Sequence, residues 1–362
     1  MRVGKKILAL TLSLVAMAGC ESEWELPYSP QAIRFSVGGK LDITTKGPID
    51  QTMVNDHTVP VRVTATRGGS NLYTNEQIFR NAETGEWLPT QNQQKEWTTD
   101  IRHTFYANAY HPTNATSNGS LTITSPTNIV IQQPATYDEE SKGRMVDYLL
   151  SQNFVYTVPM GSRPPLVKLM MEHAVTMVEI NIAKHISFQS TSVYLKMLTL
   201  EGFYRSATMT CPTLAQYGKE GESNAENWQY TARGTKDAVY TIEGAAPFPS
   251  VTSGCVPLSV REDEDGVRMT FLATPQQLEE GCKLTVGYWV NEKYRDDLPD
   301  NFVYHESSFN LFDYRTVGNV ALWAPGHHVV YTLEVDTGIT LEGTIAPWVD
   351  VDYIEGTVLP VK

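Results

Sequence analysis

The side chains that could bind a metal ion or catalyse a reaction lie in two short clusters of this sequence. Glu262 to Asp265 form an acidic run, but a D-x-[DN]-x-[DN]-G calcium loop would need an acid where Arg261 stands. His327 and His328 are adjacent, so on a strand their imidazoles point to opposite faces and cannot chelate one ion. No hydrolase, dinucleotide or phosphate-loop motif occurs, and no pair of carboxylates is singled out. We therefore expect no catalytic residue, no metal and no cofactor, and a protein that is not an enzyme.

Cys20 is the residue whose chemistry the sequence predicts most clearly. A short basic region precedes residues 7–16, which are nearly all apolar, too few to span a bilayer and typical of a secretory signal. Small residues at 18 and 19 stand directly before the thiol. This context resembles a lipobox, which predicts that residues 1–19 are a lipoprotein signal peptide and that Cys20 is lipidated. The alternative is an ordinary signal peptide that happens to contain a cysteine.

The charge of the chain argues against nucleic acid as a partner. The sequence has 28 Lys and Arg against 41 Asp and Glu, a net charge of −13, whereas nucleic-acid phosphates require clustered basic residues. The same balance disfavours adhesion to anionic lipid, so attachment to the outer membrane would come through acyl chains on Cys20. Residues 20–30 begin with an acidic stretch and are predicted to be a tether that is similar to the tag of surface-exposed lipoproteins.

Three further cysteines, Cys211, Cys255 and Cys282, are widely spaced and odd in number. They therefore do not form a disulfide framework, and the absence of a C-x-x-C pair gives no metal signature. One disulfide bond and buried free thiols are both compatible with this pattern.

Alternation of apolar and polar residues predicts that the chain consists mainly of β-strands. Ile33, Phe35 and Val37 share one face of a first strand, and residues 59–66 repeat the alternation. Strand after strand of this kind predicts an all-β fold of two tandem β-sandwiches.

Three segments depart from the simple strand pattern. Residues 138–152, with an Asp cap and clustered apolar residues, are the best helix candidate. Residues 274–277 resemble a capping box and predict a one-turn helix, while residues 256–271 surround an acidic turn and predict a hairpin.

A proline-rich stretch, residues 159–165, predicts the boundary between the two domains. We place the N-terminal β-sandwich at residues 31–162 and the C-terminal β-sandwich at residues 163–362. The apolar residues change parity along residues 166–182, which predicts a bulge or bend near His173 to Thr176.

Taken together, several motifs resemble the fimbrillin-like family of Bacteroidetes, the subunits of type V pili and their relatives. They occur in the family's order over residues 17–348. They are the lipobox, AIRFSVGG followed by TTKG, then TFYANAYHP, VKLMMEHAVTMVEINI and WAPGHHVVYTLEVDTGITLEGTIAPW.

The resemblance implies two transthyretin-like sandwiches and assembly by donor-strand exchange. In that family a protease cuts after a basic residue in the loop that follows the first strand. Loss of that strand, here Ile33, Phe35 and Val37, opens a groove that a strand of another subunit fills by β-augmentation. The corresponding loop carries Lys46, where the family usually has Arg, and Arg67 is the other candidate for processing.

The C-terminal segment supplies the candidate donor strand. Val349, Val351 and Tyr353 share one parity, and Val358 follows on the other. The leading hypothesis is a fimbrial subunit of shaft, tip, anchor or accessory type, exported as an outer-membrane lipoprotein, that joins other pilus subunits and supports adhesion. Processing would move it from the outer membrane to the fimbrium. The alternative is a non-polymerising surface lipoprotein that binds glycan or host protein through exposed aromatic residues.

Overall fold

The structure is a computed structural model in which nearly every element is a β-strand. Within the residues that the structure describes, its named helical elements are α1 (Gln51–Asn55) and the 3-10 turns Ile186–Phe188 and Leu311–Thr316. The all-β class predicted from the sequence is confirmed. The structure describes residues 31–39, 49, 51–90, 93–137, 141, 143–151, 154–210, 228–243, 256–260, 267–291, 301–316, 318–336 and 338–347.

The strands of the first half build one strongly curved sheet and a separate hairpin. In chain order they are β1 (Phe35–Gly39), β2 (Val61–Arg67), β3 (Ser70–Arg80), β4 (Trp87–Pro89), β5 (Arg102–His111), β6 (Leu121–Ser125), β7 (Asn128–Gln132), β8 (Asp147–Ser151), β9 (Phe154–Thr157) and β10 (Val167–His173). The sheet order is β2-β3-β4-β1-β10-β8-β5-β9, and β2 also pairs with β5. The sheet therefore closes on itself around a core.

Alternation in the sequence explains how these strands face the first core. In β2, Val61, Val63 and Ala65 are fully buried, while the residues between them are half exposed. Successive side chains of a strand point to opposite faces, so one face lines the core and the other meets solvent. The same core receives Ile33 and Phe35 from the start of the chain.

The second half forms several smaller sheets around a second, larger core. In chain order its strands are β11 (Thr176–Lys184), β12 (Val193–Glu201), β13 (Ser206–Thr210), β14 (Gln229–Arg233), β15 (Val239–Glu243), β16 (Val256–Pro257), β17 (Val267–Ala273), β18 (Gln276–Gln277), β19 (Lys283–Asn291), β20 (Phe302–Asn310), β21 (Leu322–Trp323), β22 (His327–Val335) and β23 (Ile339–Pro347). The orders are β17-β11-β22-β23 and β15-β12-β19-β20 with β16 beside β12, and β18 pairs with β21.

The chain passes from the first core to the second at Ala174 and Val175. Before them, β10 pairs with β1 and β8 in the closed sheet; after them, β11 pairs with β17 and β22. The predicted bend near His173 to Thr176 is confirmed, and its cause is a change of sheet. The sheet pairing therefore places β10 with the first core, beyond the predicted boundary after residue 162.

The hairpin of β6 and β7 joins the two halves. These strands precede the predicted boundary, yet β7 pairs with β13, and the resulting sheet has the order β14-β13-β7-β6. Leu121, Ile129 and Ile131 pack in the second core. The two cores are thus built from interleaved parts of the chain.

The helix predicted for residues 138–152 is wrong over its second half, where β8 runs from Asp147 to Ser151. Every residue of β8 is buried, with Leu149 in the first core and Tyr148 and Leu150 in the second. A strand that is covered on both faces has no alternation, so its run of apolar residues could be mistaken for a helix.

Two further local predictions are also wrong. Gln276 and Gln277 form a short strand opposite β21, where a one-turn helix was expected. The two strands predicted to form a hairpin within residues 256–271 do not pair over their described parts, because β16 pairs with β12 and β17 pairs with β11 in different sheets.

Candidate functional site

β1 lies between β10 and β4 in the closed sheet. It runs parallel to β10 from Phe35, opposite Val167, to Gly39, opposite Met171. Its register with β4 is the pair Phe35 and Trp87. We call the space that residues 32–39 fill between these neighbours the β1 slot.

The residues just before β1 are also held by main-chain hydrogen bonds. Ala32 forms an isolated antiparallel bridge with Glu96. The Ile33 N–H donates to the Lys95 carbonyl at 2.9 Å, and the Trp97 N–H donates to the Gln31 carbonyl at 2.9 Å. The first described residues are therefore built into the fold.

The inward side chains of β1 fill the centre of the first core. Ile33 and Phe35 are 0% exposed, and Val37 packs at the margin of the same core. The Phe35 ring lies 5.8 Å from the Phe105 ring and 6.1 Å from the Tyr73 ring, both in edge-to-face contact. Burial of such side chains contributes about 1.5–3 kcal/mol each to folding, so these residues tie β1 firmly to the core.

Tyr73 links the Phe35 pocket to the segment that holds Ile33. Its hydroxyl accepts a hydrogen bond of 3.0 Å from the Lys95 N–H, and the Lys95 carbonyl binds Ile33. Burial raises the pKa of Tyr73 to about 12, so the hydroxyl is neutral at physiological pH. Tyr73 therefore contacts Phe35 directly and supports Ile33 through Lys95.

An ion pair fixes the outward face of the same strand. Arg34 Nη1 lies 2.7 Å from Glu86 Oε1 in the loop before β4, with side chains that are 21% and 24% exposed. This ion pair therefore links the start of β1 to the loop before β4.

A buried polar cluster holds Ile49, the first described residue after β1. Asp147 Oδ2 accepts a hydrogen bond of 2.6 Å from the Ile49 N–H, and Asp147 Oδ1 accepts one of 2.9 Å from His173 Nδ1. Ile49, Asp147 and His173 are each 1% exposed. Residue 49 is therefore fixed independently of β1.

Arg67, the other candidate for processing, lies at the end of β2. It pairs with Ser70 of β3 on one side and with His103 of β5 on the other. Gly68 and Gly69 form the two-residue turn with φ of 57° and 86°. Arg67 Nη1 donates to Thr98 Oγ1 at 3.0 Å beside a cleft of about 460 Å³.

Several predicted site residues lie outside the residues that the structure describes. They are Cys20, Lys46, Val349, Val351, Tyr353 and Val358, together with Cys211 and Cys255. Cys282 is described, and it is a buried free thiol whose pKa burial raises to about 12, which makes it unreactive at neutral pH.

Alternation in the sequence predicts the inward residues of β1 but gives no sign of the contacts of Glu86, Tyr73 and Asp147. Glu86 sits in a polar loop that carried no signal. Asp147 was included in the predicted helix, although an acid inside an apolar run is a sign of a buried partner.

Two other kinds of site have no support among the described residues. Within that part of the chain, no group of three or more His, Cys, Asp or Glu side chains could hold a metal ion. No helix there is long and apolar enough to cross a membrane.

One solved structure of a fimbrial protein shares this fold, and a second is reported beside it as a more distant match. A fimbrial protein from Bacteroides vulgatus is 12% identical with a TM-score of 0.55, covering 88% of this chain and 99% of that one. The tip fimbrial protein Mfa3 from Porphyromonas gingivalis, with a C-terminal truncation, is 9% identical with a TM-score of 0.37, covering 88% and 98% of the two chains. Among curated protein sequences, none matches this chain.

A family model identifies the chain from its sequence. The model, described as fimbrillin-like, matches residues 45–348. That match spans more than half of the chain and includes most strands of both cores. The chain therefore belongs to the fimbrillin-like family.

Proposed function

We propose that this fimbrillin-like protein is a pilus subunit that is exported as a lipoprotein through Cys20 and assembles by donor-strand exchange. The observation that carries the proposal is the position of β1. It is the first described strand, its inward side chains fill the core, and residues 40–48 separate it from the anchored residue 49. One cut in that interval would free β1 while Asp147 keeps the rest of the chain in place.

Loss of β1 would leave a groove suited to another strand. β10 would have an unpaired edge next to the pockets of Ile33 and Phe35. An exposed edge with apolar pockets at alternate positions is the arrangement that β-augmentation uses. The groove would also be unstable when empty, since two fully buried side chains would be missing from the core. Both effects favour capture of a strand from another subunit.

Of the two candidate cleavage residues, we propose Lys46. Proteases bind an extended segment, and Arg67 is paired on both sides and followed by a tight turn. A cut after Arg67 would also remove β2, which lies between β3 and β5. A cut after Lys46 would remove β1 alone.

The donor strand of this chain is proposed to lie at Val349, Val351, Tyr353 and Val358. These residues follow β23, which pairs with β22 at one end of its sheet. The alternation of Val349, Val351 and Tyr353 gives inward side chains for the groove of a neighbouring subunit, and Val358 follows on the other parity. Lipidation at Cys20 would deliver the precursor to the outer membrane, and cleavage would release the subunit from its lipid into the fimbrium, where it supports adhesion.

The N-terminal sequence of the protein recovered from the surface of producing cells tests this proposal. We expect a chain that begins at Gly47, with Lys46→Ala as the uncleaved control. A surface protein that retains residue 20 as its first residue, in both the wild type and the control, would contradict processing.

A second function is favoured by one surface feature. Tyr304 is 40% exposed, its ring lies 5.2 Å from the Trp289 ring, and its hydroxyl donates to Glu306 Oε2. Such a platform with a fixed carboxylate suits binding of a sugar ring on a non-polymerising surface lipoprotein. Glycan-array binding that Tyr304→Ala abolishes and Phe79→Ala preserves, with no oligomer at any stage, would favour this function over strand exchange.

A further inference from the structure

We propose that the β1 slot selects a strand with a basic residue at position 34 and a large apolar residue at position 35. We further propose that this strand comes from a subunit other than a copy of this chain. The inference rests on the strand exchange proposed above. It adds which kind of strand the slot accepts.

Glu86 carries the preference at position 34. Its carboxylate lies 2.7 Å from Arg34, and both side chains are about three-quarters buried. When β1 leaves, Glu86 loses this partner but keeps its position beside the slot. An incoming basic residue would restore the ion pair, and an incoming acid would place two like charges together.

The Phe35 pocket carries the preference at position 35. Two of its walls are the rings of Tyr73 on β3 and Phe105 on β5, and Trp87 of β4, a buried residue of the same core, lies in register with Phe35. Strands of the closed sheet hold these rings, so the pocket cannot easily shrink around a smaller residue. A small side chain there would leave a cavity and lose dispersion contacts.

The chain's own donor segment matches neither preference. When Val349, Val351 and Tyr353 take the three inward positions, Asp350 and Asp352 take the outward ones. An aspartate then faces Glu86 whichever direction the strand runs, because both outward residues are acidic. The central inward residue would be Val351, which is smaller than Phe35.

A basic residue of β10 also borders the slot, but it lies next to position 36 and not next to position 34. Lys168 of β10 is exposed and lies in register with Ser36. It lies beside position 36, on the opposite side of β1 from Glu86. The second half of the segment, Gly356 to Val361, contains Pro360, which cannot donate to the strand ladder.

The test uses the mature chain, residues 20–362, with a recognition sequence for a specific protease placed between Lys46 and Gly47. After cutting, labelled peptides compete with the retained β1, and binding is measured by fluorescence anisotropy. A peptide of residues 31–39 should bind. Its Arg34→Glu variant should bind about tenfold more weakly and its Phe35→Ala variant about a hundredfold more weakly.

Charge reversal on the protein supplies the matched experiment. The Glu86→Lys protein should bind the Arg34→Glu peptide better than the native peptide. The Glu86→Gln protein should bind the two peptides equally well. Glu83→Lys, an exposed change in the same loop, should leave the wild-type order unchanged. A peptide of residues 349–355 should bind weakly to the wild type and about tenfold better to Glu86→Lys.

The outcomes separate the two proposals. Failure of every peptide, including the native one, would reject strand exchange itself. Binding of the native peptide with no difference for Arg34→Glu would reject the role of Glu86 and leave strand exchange standing. Tight binding of residues 349–355 to the wild type would overturn assembly with a different subunit.

Discussion

At the scale of single residues, the Phe35 side chain and the rings that surround it hold β1 in the first core. Phe35 is fully buried and meets the rings of Tyr73 and Phe105. Such a position is predictable from alternation alone. The partners that surround it are not, since they lie on strands far away in the sequence.

Phe35→Ala should destabilise the intact chain by about 3–5 kcal/mol, because it removes a buried ring and leaves a cavity. Urea unfolding of the mature, uncut chain measures the change. Phe79→Ala, at a side chain that is 37% exposed, is the control and should cost much less. Equal losses for the two variants would show that β1 is not packed in the core.

Asp147→Ala should destabilise the chain and loosen residue 49. The substitution leaves the Ile49 N–H and the His173 imidazole without their acceptor, at about 1–3 kcal/mol for each buried group. Hydrogen exchange at Ile49 and urea unfolding should both report the loss, whereas Asp56→Ala at an exposed site should change neither. Unchanged protection at Ile49 would remove Asp147 as the anchor.

At the scale of elements, the sequence predicts those strands that have one buried and one exposed face. Buried and more exposed residues alternate along β2 and β22, so these strands can be predicted from the sequence, as can the first strand. β8 was mistaken for a helix because the two cores bury both of its faces. Period-based reasoning fails wherever tertiary packing covers a strand on both sides.

The contact between β11, β17 and β22 contains a carboxylate that should make stability depend on pH. His328 Nε2 lies 3.4 Å from Glu179 Oε2, Asn181 donates to Glu179 at 2.7 Å, and Arg268 lies 3.5 Å away. The His328 imidazole, then Asn181 and the charge of Arg268, hold the pKa of Glu179 below its ordinary value against the opposing effect of burial.

Because the pKa of Glu179 is lower in the folded protein, its carboxylate stabilises the fold at pH values above the unfolded pKa of about 4.3. This stabilisation is lost as the pH falls through the folded pKa of Glu179. Glu179→Gln should therefore melt at a lower temperature than the wild type at pH 7, and this difference in melting temperature should narrow below about pH 4. Melting curves recorded from pH 7 down to about pH 4 test this, with Glu83→Gln as the exposed control. A difference in melting temperature that does not change with pH would contradict the role given to Glu179.

At the scale of the whole molecule, long-range pairing decides what the sequence cannot. β1 pairs in parallel with β10, which lies far along the chain, and β7 pairs with β13 across the predicted domain boundary. Alternation fixes which face of a strand is buried but not which strand lies beside it. The all-β class and the first strand could therefore be predicted, whereas the interleaved cores and the role of Glu86 could not.

The central claim is that β1 is a replaceable strand in an otherwise intact fold. Native mass spectrometry of the mature chain tests it most directly, after a specific cut between Lys46 and Gly47 and addition of excess peptide 31–39. We predict that the fragment ending at Lys46 leaves and one peptide takes its place, while circular dichroism stays unchanged. A fragment that never exchanges, or a chain that unfolds once cut, would contradict the account.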